Sequence, residues 1–437
     1  STSQRAIVMW LKSYDCNRDV FAWQLSSGTL GPGLSWDRRI RALPPASRLL
    51  FDRRAWSLEQ HTPRVEYRAV AGAPERQRYE LEDAITETFR QLELDTEHGA
   101  LALSGGYDSR MILFKLRDRP HLQTVTWGRR GALADRDTDA SVAQLLATKM
   151  HTDHSYFELE MPKQGVEEVL DRFVRLGEGR TDNVSGYIDG FKIWKRLHES
   201  GCDTLFRGDE AFGCRSAPTP ADIYRNTKCN VLGDFRLGRA GPLAELAASQ
   251  RRPVHLEQRR SESLQAWRDR LNAEFELPYA LGPLNDLKLA YVDVVHPLVS
   301  RRIVEQVRRL PDDLRTDKTA FKAIVDEVRL DVPFAKRVAI FPPETVLRNP
   351  EVLRALGGEL CRQGEGSGTV AALARQVLEL LPRPSALRVP ASVRRLVDEA
   401  RRRTSRAPRL SPLKLAFRMY IIGKMQALLQ EDARALR

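Results

Sequence analysis

The sequence predicts an α/β fold: a parallel sheet with helices on both faces, preceded by a small β-rich amino-terminal region and followed by a helical carboxyl-terminal region. Three observations carry this. Between residues 80 and 206, short apolar runs alternate with segments of helical spacing, the pattern of parallel strands joined by crossover helices. Two glycine-bearing polar runs, Ser104–Ser109 and Arg207–Gly213, each follow an apolar strand, where a parallel sheet gathers its ligands. From about residue 240 onward, helical periodicity dominates.

In order along the chain, Ala6–Trp10, Val20–Trp23 and Ser47–Phe51 carry β-branched and aromatic residues and read as short strands. The breakers Gly31-Pro32-Gly33 and Pro44-Pro45 separate them. A helix starts near Arg76, where Leu81, Ala84, Ile85, Phe89 and Leu92 recur at helical spacing. Leu101-Ala-Leu leads into the first polar run, and Leu122–Trp127 is a second strand that ends at Gly128. The helix at Asp139–Ala147 and the strand at His154–Phe157 follow. Helical segments at 165–177 and 187–199 then precede a fourth strand, Asp203–Phe206. Further helices are expected at 259–276, 284–293 and 300–310. Leu356–Thr369 holds five glycines and reads as a mobile loop. Pro382, Pro384 and Pro390 punctuate the tail, Arg394–Arg409 is a basic helix or linker, and Leu413–Leu429 is a last apolar helix. The organisation expected is a β-rich region at 1–75, an α/β domain at 76–345 and a helical, basic extension at 346–437.

The run Ser104-Gly105-Gly106-Tyr107-Asp108-Ser109 has the layout of a phosphate-binding loop. Adjacent glycines let the backbone approach an anion, two hydroxyls donate to phosphate oxygens, and the next helix aims its amide end at the charge. Asp108 would repel a bare phosphate, so its presence argues for a bridging Mg²⁺. The Gly-Lys-Ser/Thr ending of the Walker loop is missing, as are the spaced glycines of the dinucleotide fingerprint. The loop resembles the Ser-Gly-Gly-x-Asp-Ser signature of the PP-loop ATP pyrophosphatase superfamily, whose members cleave ATP between the α and β phosphates.

The second run, Arg207-Gly208-Asp209-Glu210-Ala-Phe212-Gly213, puts two carboxylates at a strand end. Alone it is a weak signal, since an acidic turn at a strand end is more often a helix cap. With the first run it resembles the asparagine synthetase-like branch of the superfamily, over roughly residues 80–345. Asp139-Ala140-x-x-Ala143 through His154, Pro297-Leu298, Leu310–Lys318 and Val332-Pro-Phe-Ala-Lys336 fit the same resemblance. It implies that Ser104, Gly105, Gly106, Asp108, Ser109, Gly128 and Gly208 bind ATP. It also implies that Asp108 and Asp209 hold Mg²⁺, with Glu210 orienting Asp209 or a backbone amide. Lys336 would steady the α-phosphate, with Lys318 and Lys322 competing for that role.

Two departures stand out. The family's Glu-x-Arg-x-Pro-Phe-Leu-Asp reads here as Asp293-Val-Val295-His296-Pro-Leu-Val-Ser300, without the arginine and the last aspartate. Tyr291 and Asp293 resemble the tyrosine–carboxylate pair with which β-lactam synthetase relatives take a proton from the attacking amine; His296 reads as a structural histidine. Glutamine-using relatives begin with a nucleophilic cysteine, whereas this chain begins Ser1-Thr-Ser, and residues 36–60 resemble only the last part of a glutaminase-like domain. Glutamine hydrolysis is therefore not expected.

The leading expectation is an ATP- and Mg²⁺-dependent, AMP-forming carboxylate–amine ligase without a working glutaminase, akin to the β-lactam synthetases and lasso-peptide cyclases. Its partners would be a small-molecule or peptide carboxylate, including a precursor or leader peptide. The alternatives are a tRNA-modifying member of the superfamily with Arg394–Arg409 on phosphates, and a degenerate, non-catalytic nucleotide-binding protein. A net charge of +12 welcomes anionic ligands, although a solvated basic surface is the stronger explanation of it. The five cysteines form no metal knuckle or evenly spaced framework and read as reduced thiols. No apolar stretch nears the roughly 18 residues that span a bilayer, and no leader opens the chain, so a cytoplasmic protein is expected.

Overall fold

The computed structural model describes residues 2–162, 165–236, 240–381 and 410–435. Its centre is a five-stranded, wholly parallel sheet in the order β5-β4-β3-β6-β7. The strands are β3 (Gly99–Ala102), β4 (Gln123–Gly128), β5 (Asp153–Glu158), β6 (Thr204–Phe206) and β7 (Asp293–Val295). A separate two-stranded antiparallel hairpin, β1 (Arg48–Asp52) and β2 (Ser57–His61), precedes it. The helix Pro74–Gln91 ahead of β3 and crossover helices such as Tyr107–Leu116 and Asp139–Lys149 cover the sheet and bury apolar faces that include Leu81 and Ile85, Met111 and Ile112, and Leu146. The expected α/β class therefore holds, with the small β element ahead of the sheet and helices after it.

Several local expectations are corrected. Ala6–Trp10 and Val20–Trp23 lie in helices, Gln4–Leu11 and Asp19–Ser27, not strands. In the second helix every residue from Val20 to Ser27 is buried, and an element buried on all sides shows no period by which helix and strand can be told apart. The first is started by Ser3, whose hydroxyl accepts from Ala6 N, and stopped by Lys12 in the left-handed region at φ 53°. The glycine-rich stretch at 356–369 is not a loop: it is shared by helices Pro350–Glu365 and Gly368–Leu380. Asn349 caps the first of these, and buried Val352, Leu356 and Leu360 outweigh the roughly 1 kcal/mol that each interior glycine costs. The helix expected at 284–293 is short, Gly282–Asp286, after a π-helical stretch Asn272–Leu281 that contains Pro278; β7 takes the end of that range. Pro382, Pro384, Pro390 and Arg394–Arg409 lie outside the described residues.

One apolar core crosses both expected boundaries. Phe21 and Trp36 from the amino-terminal region, Phe173 and Trp194 beside the sheet, and Phe417, Tyr420 and Ile421 of the helix Pro412–Asp432 belong to one cluster. Arg418 reinforces the seam, donating to Asp182 (2.7 Å) and to the carbonyls of Leu25 (2.8 Å) and Ser26 (3.0 Å). The composition changes near residues 75 and 345 thus do not separate independent cores. Among the described residues no helix is long and apolar enough to cross a membrane.

His154, on edge strand β5, pairs through Nδ1 with Thr124 Oγ1 (2.8 Å), and its buried Nε2 has no partner. Burial pushes the imidazole down to about 4. The unfolded chain then binds a proton near pH 6.5 that the folded chain refuses, so stability falls as pH drops from about 6.5 toward 4. Urea denaturation at pH 7 and pH 5 is expected to show about 2 kcal/mol less stability at pH 5 from this group. In His154→Gln that component disappears.

Candidate active site

β3 delivers the chain to Leu103–Gly106, which turns into the helix Tyr107–Leu116. No side chain caps this helix, so its first-turn amides are available to an anion. The loop is closed by its own serines. Ser104 Oγ lies 2.9 Å from Ser109 Oγ, Ser104 N donates to Ser109 Oγ (3.1 Å), and Ser109 Oγ reaches Ser104 O (3.1 Å). Glycine is required at 105 because a Cβ there would stand 2.4 Å from Ala335 Cβ; at 208 a Cβ would crowd Asp108 Cβ at 3.0 Å. Gly106 faces Ser104 Oγ, and Gly128 ends β4 against Ala339.

The late segment 332–340 is clamped onto this loop. Arg110, itself buried, donates to the carbonyls of Val332 (3.0 Å) and Pro333 (2.8 Å) and stacks on Phe334, whose ring also lies 3.9 Å from that of Tyr107. Ala335 N donates to Gly105 O (3.0 Å). Val338, Ala339 and Ile340 then form one wall of a cavity of about 260 Å³. Trp127 and Thr126 of β4 form another wall, and Ser104, Asp108, Ser109, Arg207, Gly208 and Asp209 complete it. The two polar runs, far apart in sequence, thus meet at the carboxyl ends of the adjacent strands β3 and β6.

The surroundings act on the two carboxylates in opposite directions. Burial pushes Asp108 up, and the nearby Asp209 charge adds to this against the pull of Lys318. At Asp209 burial also works upward, but Arg207, His296 and the Asn285 amide outweigh it and hold the carboxyl below its ordinary range. Asn285 Nδ2 donates to Asp209 Oδ2 (3.3 Å), Arg207 Nη2 lies 3.4 Å from Oδ1, and His296 Nδ1 lies 3.4 Å from Oδ2 without a hydrogen bond. Mg²⁺ suits such a pair, because it takes one or two carboxylates and fills its octahedron with water and phosphate oxygens. Among the described residues no cluster of three or more His, Cys, Asp or Glu forms a protein-only cage.

Of Lys318, Lys322 and Lys336, Lys318 is the one that meets both acidic runs. Its ammonium binds both oxygens of Asp108 (2.8 and 2.9 Å) and Glu210 (2.9 Å), and Glu210 also accepts from Phe212 N. Lys336 is not among the cavity-lining residues: its side chain is 76% exposed and faces Asp137 at 3.7 Å. Lys336 N and Arg337 N both donate to Asp137 O, which ties this stretch to the turn ahead of the helix Asp139–Lys149. Lys322 pairs with Asp317 (2.7 Å). Tyr291 and Asp293 are not brought to the loop. Asp293 opens β7 in register with Thr204, at the opposite end of the sheet from Ser104, and is exposed; Tyr291 meets Arg172. Strand direction decides this, since the residue that emerges beside Asp209 at the end of β7 is His296. Sequence reasoning assigned no site role to Arg207, Asn285, Lys288 or His296. Arg207 had a signal, its place in the acidic run, while buried Lys288, under the rings of Tyr187 and Trp194, had none.

Fold and site together define an α/β nucleotide-binding synthetase built on a serine–glycine loop and a second acidic strand end. The chain belongs to the asparagine synthase family, whose model matches residues 80–410. Members of that family are ATP-dependent, amide-forming ligases. A comparison with curated proteins returns no match.

Proposed function

We propose that this chain is an AMP-forming ligase that adenylates a substrate carboxylate and passes the acyl group to an amine. The observation that carries this is the meeting of Ser104, Asp108 and Ser109 with Arg207 and Asp209 in one cavity with an apolar wall. A phosphate chain lies across the helix start and the serines, and a flat base fits against Trp127 and Val338–Ile340. The carboxylate oxygen attacks the α-phosphorus and pyrophosphate leaves; the amine nitrogen then attacks the acyl carbon, AMP leaves, and the nitrogen's proton passes to solvent.

The chain's own residues position and neutralise. Ser104, Ser109 and the first-turn amides hold the phosphates in line, and Arg207 supplies a fixed charge at the cavity edge. Lys318 holds Asp108 and Glu210 in place. Asp108 and Asp209 would hold Mg²⁺, which when bound draws charge from the phosphate oxygens. Because Val295 stands where the family has arginine, and His296 beside Asp209, the carboxylate differs from that of primary asparagine metabolism. A small-molecule or peptide carboxylate, closed into an amide within one molecule, suits the basic surface.

The test is pyrophosphate release from ATP and Mg²⁺ across a panel of amino-acid and peptide carboxylates. Release that depends on one class of carboxylate, with AMP in equal amount, is the expected result. ADP and phosphate as products, or no nucleotide binding, would reject the reading.

A further inference from the structure

All ten residues of β1 and β2 are exposed, yet they include Leu49, Leu50, Phe51 and Leu58 at 50–63% exposure, with Trp56 at 79% in the turn. Scattered surface hydrophobics need no explanation, but a contiguous set marks an interaction surface. The register sorts them. Phe51 pairs with Leu58 and Leu49 with Gln60, so Leu49, Phe51 and Leu58 share one face, and the Trp56 ring meets Phe51 at 5.2 Å. Arg48, Leu50 and Asp52 take the other face. Two strands with nothing packed on them are marginal in water.

β1 pairs with β2 alone, so among the described residues its outer edge is open. Its sequence, Arg48-Leu49-Leu50-Phe51-Asp52, is self-complementary when laid antiparallel against itself. A two-fold axis at Leu50 sets Arg48 opposite the partner's Asp52, and Leu49 opposite the partner's Phe51. The charges are free to pair. Arg48 makes no side-chain hydrogen bond or ion pair in the described structure. Asp52 uses only Oδ1, which accepts from Arg54 N (2.7 Å) and Ala55 N (3.1 Å). A parallel pairing, or a shift by one residue, would set like charges or a charge against leucine.

We propose that β1 is the edge of an isologous dimer, in which two copies join as a four-stranded antiparallel sheet, β2-β1-β1-β2. Its two apolar faces then form one continuous stripe, and each copy contributes the same patch. None of these residues lines the nucleotide cavity, so the proposal stands apart from the reaction assigned above.

Sedimentation equilibrium of the full chain over a concentration series tests it. The expected mass is that of two chains, and Arg48→Asp, which leaves the Asp52 turn intact, should weaken association at least 10-fold. Leu50→Cys in a Cys361→Ser background places two thiols across the axis at a distance a disulfide can span. Mild oxidation should then give a covalent dimer that the Cys361→Ser parent does not. A wild-type chain that stays at the mass of one chain, an undiminished Arg48→Asp dimer, or no cross-link through position 50 would each overturn the proposal.

Discussion

Asp209→Ala is expected to lower ATP-dependent pyrophosphate release by at least about 100-fold, the scale for losing one preorganised electrostatic contact in an active site. Asp209 sits among Arg207, Asn285 and His296, which keep it ionised while Asp108 is pushed up. Lys318 holds both oxygens of Asp108, whereas the contacts of Asp209 are long, so of the two carboxylates Asp209 is the freer to meet a cation. Removing it leaves Arg207 in the cavity with less opposing charge, so the free nucleotide should bind as well as before or more tightly. The loss should fall on turnover and on the response to Mg²⁺. Folding should suffer by only about 1–2 kcal/mol, since its contacts at 3.3 and 3.4 Å are long. Steady-state pyrophosphate release against Mg²⁺ concentration, with calorimetry of nucleotide binding, checks both halves. Turnover within about threefold of the wild type would remove Asp209 from the reaction and favour a non-catalytic nucleotide-binding protein.

Lys318→Met is expected to damage both stability and rate. The lysine is the shared cation of Asp108 and Glu210, and it stands in the left-handed region (φ 59°) directly after Asp317 (φ 54°). Two successive strained residues persist only where the surroundings over-determine them. Here Arg315 is buried against Asp269 (3.0 Å), and Asp317 N donates to Cys214 O (2.8 Å). Without the ammonium, two half-buried carboxyls face each other and their folded-state proton affinities rise further. A carboxyl with a raised folded pKa is stable below its unfolded value and loses that stability as pH climbs through the folded one. The cost of Lys318→Met should therefore be about 2–4 kcal/mol at pH 8 and shrink toward pH 5. Denaturation at the two pH values measures it, and Lys318→Arg should recover part. Lys336→Met, at an exposed pair, should change stability by no more than about 0.5 kcal/mol and should slow the reaction less than Lys318→Met. The reverse order of rates would return the role to Lys336.

The legible parts of this protein were the local ones. The strand–loop–helix around Ser104 could be read because glycine, serine and a buried apolar strand dictate backbone and polarity within ten residues. The Asp209 strand end could be read for the same reason. Val20–Ser27 could not, because full burial erases its period, and neither could the helix through Gly357 and Gly358, which packing imposes against propensity.

The sequence by itself determined the α/β class, the places of four of the five parallel strands along the chain, the serine–glycine loop and the two acidic positions that share a cavity with it. All of these follow from side-chain pattern and turn chemistry over short stretches. Only the tertiary structure decided that Lys318, 210 residues from Asp108, pairs with it, that Lys336 is exposed beside Asp137, and that β7 presents His296 and not Asp293 beside Asp209. These are matters of strand direction and long-range packing. A residue's type does not state which distant partner will be buried against it.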